Sequence, residues 1–125
     1  MKNLKQLGIY MDHSSAFLLE LTNGLIVQNN IASESTHEEK EISLQKNERL
    51  MHNKEQQQQS KYYENISDQI RNFQEVILFG PTDAKNELFN LLKDDHLFSN
   101  IKIVLKDTDA MTEIQKHTFV KEYFK

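Results

Sequence analysis

Asn23-Gly24 stands between two apolar runs, Ala16 to Leu21 and Leu25-Ile26-Val27, and no other feature constrains the folding of this chain as tightly. A two-residue hairpin loop of type I′ needs positive φ at both positions, which Asn and Gly accept, and such a loop fixes the register of the antiparallel strands it joins. Upstream, Leu7, Ile9 and Met11 alternate with Gly8, Tyr10 and Asp12, the period of a strand, and Asp12-His13-Ser14-Ser15 supplies turn chemistry directly after it. The first thirty residues therefore predict a three-stranded antiparallel meander.

Beyond it the period changes. From Ala32 to about Gln45 the residues are mostly Ser, Thr, Glu and Lys with isolated Ile42 and Leu44, and no sustained period of either kind. A mobile loop over about 32–45 is expected. Lys46 to Phe73 contains neither Pro nor Gly, and Tyr62/Tyr63, Ile66, Ile70 and Phe73 recur at three-to-four spacing, predicting a long helix whose second half alone has a core-facing stripe. Its first half, through Gln56-Gln57-Gln58-Gln59, reads as a polar helix in solvent or a segment that orders against a partner. Val76-Ile77-Leu78-Phe79 is a continuous apolar run, as in a parallel strand buried on both faces. After Gly80-Pro81, Thr82 is placed to cap a helix with Asp83 in its first turn and Ala84, Leu88, Leu91 and Leu92 on one face. Ile101 to Leu105 predicts a fifth strand, and Thr108 or Asp109 a cap for a last helix through Phe124. The order β-β-β-α-β-α-β-α defines an α/β fold, a ribonuclease H-like mixed sheet of five strands, because parallel strands need crossover helices.

A chain of 125 residues is expected to be a single domain, 1–125. The absence of cysteine excludes disulfides, thiol catalysis and thiolate zinc sites, and fits a reducing compartment. No apolar run has the length of a membrane span or a signal peptide, so no membrane contact and a cytoplasmic location are expected. The formal net charge of -4 works against general phosphate binding, so contact with RNA has to come from a local patch.

Catalytic chemistry finds little footing. In a ribonuclease H-like order, a two-metal nuclease would hold magnesium with carboxylates on the first strand, the first helix and the end of the fourth strand. Asp12 suits the first place, but the fourth strand ends in Phe79-Gly80-Pro81; the plainer reading of Asp12 is a residue that closes a turn. The five histidines, His13, His37, His52, His96 and His117, include no pair at ligand spacing and read as surface residues. Ser14 and Ser15 lack a nucleophile elbow. No catalytic residue, metal, cofactor or small-molecule substrate is therefore expected. Gly80, Thr82 and Lys85 form an anion-binding candidate, amides at a helix start plus an ammonium, against the plainer reading of a strand-to-helix turn in which Asp83 would repel an anion. Lys46, Arg49, Lys54 and Lys61 fall on or beside the polar half-helix and are the candidates for contact with an RNA backbone, diluted by Glu48 and Glu55.

The chain resembles the middle domain of the archaeal and eukaryotic class-one peptide release factors and of their relative pelota, and more closely the small bacterial stand-alone versions of that domain. The likeness rests on Gly8-Ile9-Tyr10-Met11-Asp12, the polar loop running into a helix with Tyr62-Tyr63, the stretch Phe79-Gly80-Pro81-Thr82-Asp83-Ala84-Lys85-Asn86-Glu87-Leu88, and the closing Lys106-Asp107-Thr108-Asp109-Ala110-Met111-Thr112-Glu113. In release factors the loop before the long helix carries a Gly-Gly-Gln tripeptide that promotes peptidyl-tRNA hydrolysis. The matching region here, about Glu34 to Lys54, has no glycine, and glutamines inside a helix do not replace glycine backbone freedom. Pelota-like middle domains also lack the tripeptide. The resemblance implies a non-catalytic module contacting the ribosome or tRNA, which in the absence of the family's flanking domains has to act through this domain alone. Two alternatives stand beside it: a protein-interaction or self-associating domain without RNA binding, with a protein partner or homo-oligomer in place of RNA, and a divergent metal-dependent nuclease centred on Asp12.

Overall fold

Asn23 and Gly24 both take positive φ, 51° and 80°, as a type I′ turn requires, and the hairpin they close sets the first half of the sheet. The structure, a computed structural model, describes residues 5–33 and 48–124, with the backbone alone described for 48–58. The strands are β1 (Gln6–Met11), β2 (Ser15–Thr22), β3 (Leu25–Ala32), β4 (Glu75–Gly80) and β5 (Lys102–Asp107); the helices are α1 (Glu48–Ile70), α2 (Ala84–Leu92) and α3 (Glu113–Tyr123), with a 3-10 turn at His96–Phe98. Strand order across the sheet is β3-β2-β1-β4-β5. β1 pairs antiparallel with β2 and parallel with β4, and β4 pairs parallel with β5. This is the mixed five-stranded α/β sheet of the ribonuclease H-like arrangement.

The central position of β1 explains why both of its faces are apolar. Leu7, Ile9 and Met11 join Ala16, Leu18, Val76 and Leu78 under α1 and α2, which contribute Tyr62, Tyr63, Ile66, Ile70, Ala84, Leu88 and Leu92. Tyr10, Leu19, Ile77 and Phe79 face the other way and pack on Val120 of α3. Ile66 is fully buried, and such a side chain contributes about 1.5–3 kcal/mol of transfer free energy. On the α3 side Phe119 stacks on Phe79 at 4.4 Å between ring centroids. The ammonium of Lys116 lies 3.7 Å from the Phe17 ring centroid and 4.4 Å from that of Tyr10, a cation held on aromatic faces.

Several boundaries differ from expectation for physical reasons. β3 continues through Gln28-Asn29-Asn30 to Ala32 because it is an edge strand whose ladder to β2 carries it past the apolar residues. The N-cap position of α2 is Asp83, not Thr82, so the helix begins at Ala84, although the Thr82 hydroxyl accepts the Ala84 N–H at 3.3 Å. Leu91 is 59% exposed and does not share the buried face of Leu88 and Leu92. α3 begins at Glu113, capped by Thr112 and not by Thr108 or Asp109. Thr112 and Gln115 form a reciprocal capping box, while the Tyr10 hydroxyl accepts the Met111 N–H and ties down the connection before it. The expected loop lies largely outside the described residues.

Candidate functional site

The C-terminal ends of β1 and β4 and the start of α2 bring the conspicuous polar residues of the sequence together. Asp12 directly follows β1, and its Oδ1 accepts N–H bonds from Ser14 and Ser15, each at 2.8 Å, and the Ser14 hydroxyl at 3.1 Å. Partial burial pushes the Asp12 carboxyl upward. The bonds from Ser14 and Ser15, with His13 nearby, outweigh that and hold it below its ordinary value. One oxygen of Asp12 is thus engaged in closing the β1–β2 turn. Among the described residues no group of three His, Asp or Glu side chains is placed to hold a metal ion.

Behind this turn two adjacent tyrosines clamp α1. The Tyr62 hydroxyl donates to the Asp12 carbonyl at 2.8 Å, and the Tyr63 hydroxyl donates to Glu87 Oε1 at 2.7 Å. Glu87 Oε2 lies 3.0 Å from His13 Nε2. Burial raises both phenols far above the ordinary tyrosine value, with the Asp12 charge adding to the shift at Tyr62 and the Glu87 bond adding to it at Tyr63; both therefore act as donors at neutral pH. The Tyr63 and His13 bonds hold Glu87 below its ordinary value. His13, Tyr63 and Glu87 come from three elements and tie the meander, α1 and α2 together. No local spacing announces that network, since His13 and Glu87 are 74 positions apart.

Gly80, Thr82 and Lys85 are close together, as the sequence order requires, but the ammonium is turned inward. The Lys85 side chain is 2% exposed; its Nζ donates to the Thr82 carbonyl at 2.6 Å and lies 2.7 Å from Asp107 Oδ1 at the end of β5. Where the sequence reading aims this charge at an external anion, the structure pairs it with a carboxylate of its own chain. A signal was available: Lys85 stands three and seven residues before Leu88 and Leu92, on the buried stripe. Gly80 has φ 143°, and its α-carbon faces the Met11 carbonyl so closely that a β-carbon would come within 2.7 Å of that oxygen. The glycine thus serves the close approach of β4 to β1.

Of the RNA-contact candidates, Lys61 is exposed on α1, Arg49 and Lys54 lie on the helical backbone with side chains outside the described residues, and Lys46 is outside them altogether. The clamp at Tyr62 and Tyr63 fixes the root of the helix that carries them. From Glu48 to Lys61 the helix runs about 20 Å at 1.5 Å per residue.

Comparison with solved structures adds a likeness of fold. The fold is similar to Archaeoglobus fulgidus Pelota, with a TM-score of 0.62 at 11% identity over 97% of this chain and 32% of that one. It is similar also to Thermoplasma acidophilum Pelota, with a TM-score of 0.59 at 12% identity over 94% of this chain and 32% of the other. The chain thus spans about a third of the length of the Pelota chains it matches. At these identities the likeness is one of fold. No family profile and no curated protein sequence matches the chain. Among the described residues, no helix is long and apolar enough to cross a membrane.

Proposed function

We propose that this chain is a non-catalytic, translation-associated module of the cytoplasm that contacts ribosomal or transfer RNA through residues 34–61. The observation that carries the reading is the likeness of nearly the whole chain to a third of archaeal Pelota, together with the sequence resemblance to the same group of middle domains. Lys46, Arg49, Lys54 and Lys61 are the phosphate contacts in this reading, on a helix whose root is held by two buried tyrosine hydroxyls. Hydrolysis of peptidyl-tRNA has no place in it, because the three glycines of the chain are Gly8, Gly24 and Gly80 and none lies in the stretch of about 34–54 that leads into the long helix. Lys85 drops out of the contact set, its charge being matched by Asp107.

Reversal of the four contacts to glutamate tests the surface. Co-sedimentation with ribosomes is expected to disappear while far-ultraviolet circular dichroism and thermal unfolding keep the wild-type form. Persistence of co-sedimentation in the folded variant would overturn the assignment. The net charge of -4 favours a second reading, a protein-interaction or self-associating domain without RNA affinity. Its mark is binding that hardly changes with salt, because phosphate contacts release counterions and weaken steeply as salt rises.

A further inference from the structure

On the α1–α2 side of the sheet, a cleft of about 260 Å³ opens between α1, the end of α2 and the 3-10 turn, and the RNA-contact reading gives it no role. Leu92 and Phe98, both buried, line it as an apolar base. Leu91 and Leu97 also line it, yet they are 59% and 50% exposed. Two large apolar side chains are thus left in water beside an apolar base, where their burial would be favourable.

The polar lining is acidic. Glu64, Asp68 and Asp95 bring three carboxylates against one guanidinium, Arg71. Glu64 and Asp68 are four residues apart on α1, an arrangement of like charges that weakens a helix, and among the described residues neither belongs to an ion pair. Asp95 has a structural task, accepting the Leu97 N–H at 2.9 Å at the start of the 3-10 turn. Among the described residues, Glu64 and Asp68 have none.

We propose that this cleft docks a linear segment of a partner protein, which inserts one bulky apolar side chain between Leu91 and Leu97 and sets lysines or arginines against Glu64 and Asp68. Charge complementarity selects that occupant. A nucleic acid would bring phosphates to three carboxylates. A second copy placed by two-fold symmetry would set this acidic rim against itself. A small molecule is disfavoured by size, since ligand pockets usually measure about 300–1,000 Å³.

The test titrates short synthetic peptides into the isotope-labelled full chain and follows backbone amides by NMR. The probe is a mixture with phenylalanine, leucine or methionine at the centre and lysines on both sides. One control has glutamates in place of the lysines, and another has alanine at the centre. Saturable shifts confined to residues 60–71 and 91–98 are expected with the probe, with binding weaker by about tenfold or more for either control. Leu97→Glu changes an exposed residue and should abolish the shifts without altering thermal unfolding; Leu91→Glu is the second variant to the same end. Charge reversal at Glu64 and Asp68 to lysine should transfer preference to the glutamate-flanked control. Absence of saturable shifts, equal binding of probe and acidic control, or shifts elsewhere would overturn the proposal. So would concentration-dependent shifts of the same amides without peptide, which would identify a second copy as the occupant, or the same shifts produced by an RNA oligonucleotide.

Discussion

Replacement of Gly80 by alanine should be among the most damaging single-methyl changes available to this domain. The residue sits at φ 143°, a region that L side chains avoid, and holding a residue there costs about 1–3 kcal/mol. The new methyl would also lie 2.7 Å from the Met11 carbonyl oxygen and 3.5 Å from the Met11 nitrogen, an overpacking penalty of roughly another 1–3 kcal/mol. Reduced freedom of the unfolded chain returns about 0.4–1 kcal/mol. The net loss is then about 1–6 kcal/mol, a large share of the roughly 5–15 kcal/mol that stabilises an ordinary domain. Urea unfolding followed by circular dichroism measures it, with an unchanged m-value marking a two-state comparison. Gly8→Ala is the internal reference. Its methyl would fall on Cγ2 of Val120, a side chain that can be shortened, so Gly8→Ala should cost less in a Val120→Ala background than alone. Met11→Ala should give Gly80→Ala no such relief, because the obstacle is backbone. A loss below about 1 kcal/mol for Gly80→Ala, or its rescue by Met11→Ala, would refute this account of how β4 closes on β1.

Three further outcomes follow from the polar contacts. Asp107→Asn leaves the Lys85 ammonium buried without its counter-charge; with the exposure of Asp107 screening the pair, a loss of about 1–2 kcal/mol in urea unfolding is expected. Asp12 and Glu87 are both held below their ordinary carboxylate values, so the unfolded chain binds protons first. Stability is then intact at neutral pH and falls as pH drops through about 4 toward the folded values; an acid titration of thermal unfolding should flatten in Asp12→Asn and Glu87→Gln. Thr112→Ala removes the capping box of α3 and should cost about 1 kcal/mol by the same urea assay.

Legibility in the sequence followed the range of each interaction. The Asn23-Gly24 turn, the alternation of β1 and the Tyr62-Tyr63-Ile66-Ile70 stripe are local patterns, and they place the meander and the rooted half of α1 correctly. The start of α3 was readable from Thr112-x-x-Gln115, but Thr108-Asp109 offers the same cap chemistry four residues earlier. What decides between them is the distant Tyr10 hydroxyl on Met111. The polar end of β3 carries no strand period, because an edge strand with one neighbour needs no apolar alternation to keep its ladder. Lys85 and Lys116 both stand on apolar stripes, so their burial was legible, but the partners that permit it, Asp107 and the Tyr10 and Phe17 rings, are set by tertiary contact. The His13-Glu87-Tyr63 network, assembled from three elements, has no sequence signature at all.

The central claim meets its most direct test in a sucrose gradient of cell lysate containing the tagged chain, run at low and at moderate salt. A module that contacts RNA through Lys46, Arg49, Lys54 and Lys61 should migrate with ribosomal particles at low salt and leave them as salt rises, since each released phosphate contact steepens that dependence. Migration only at the top of the gradient at both salt concentrations would contradict the translation reading and leave protein contact as the function of the domain.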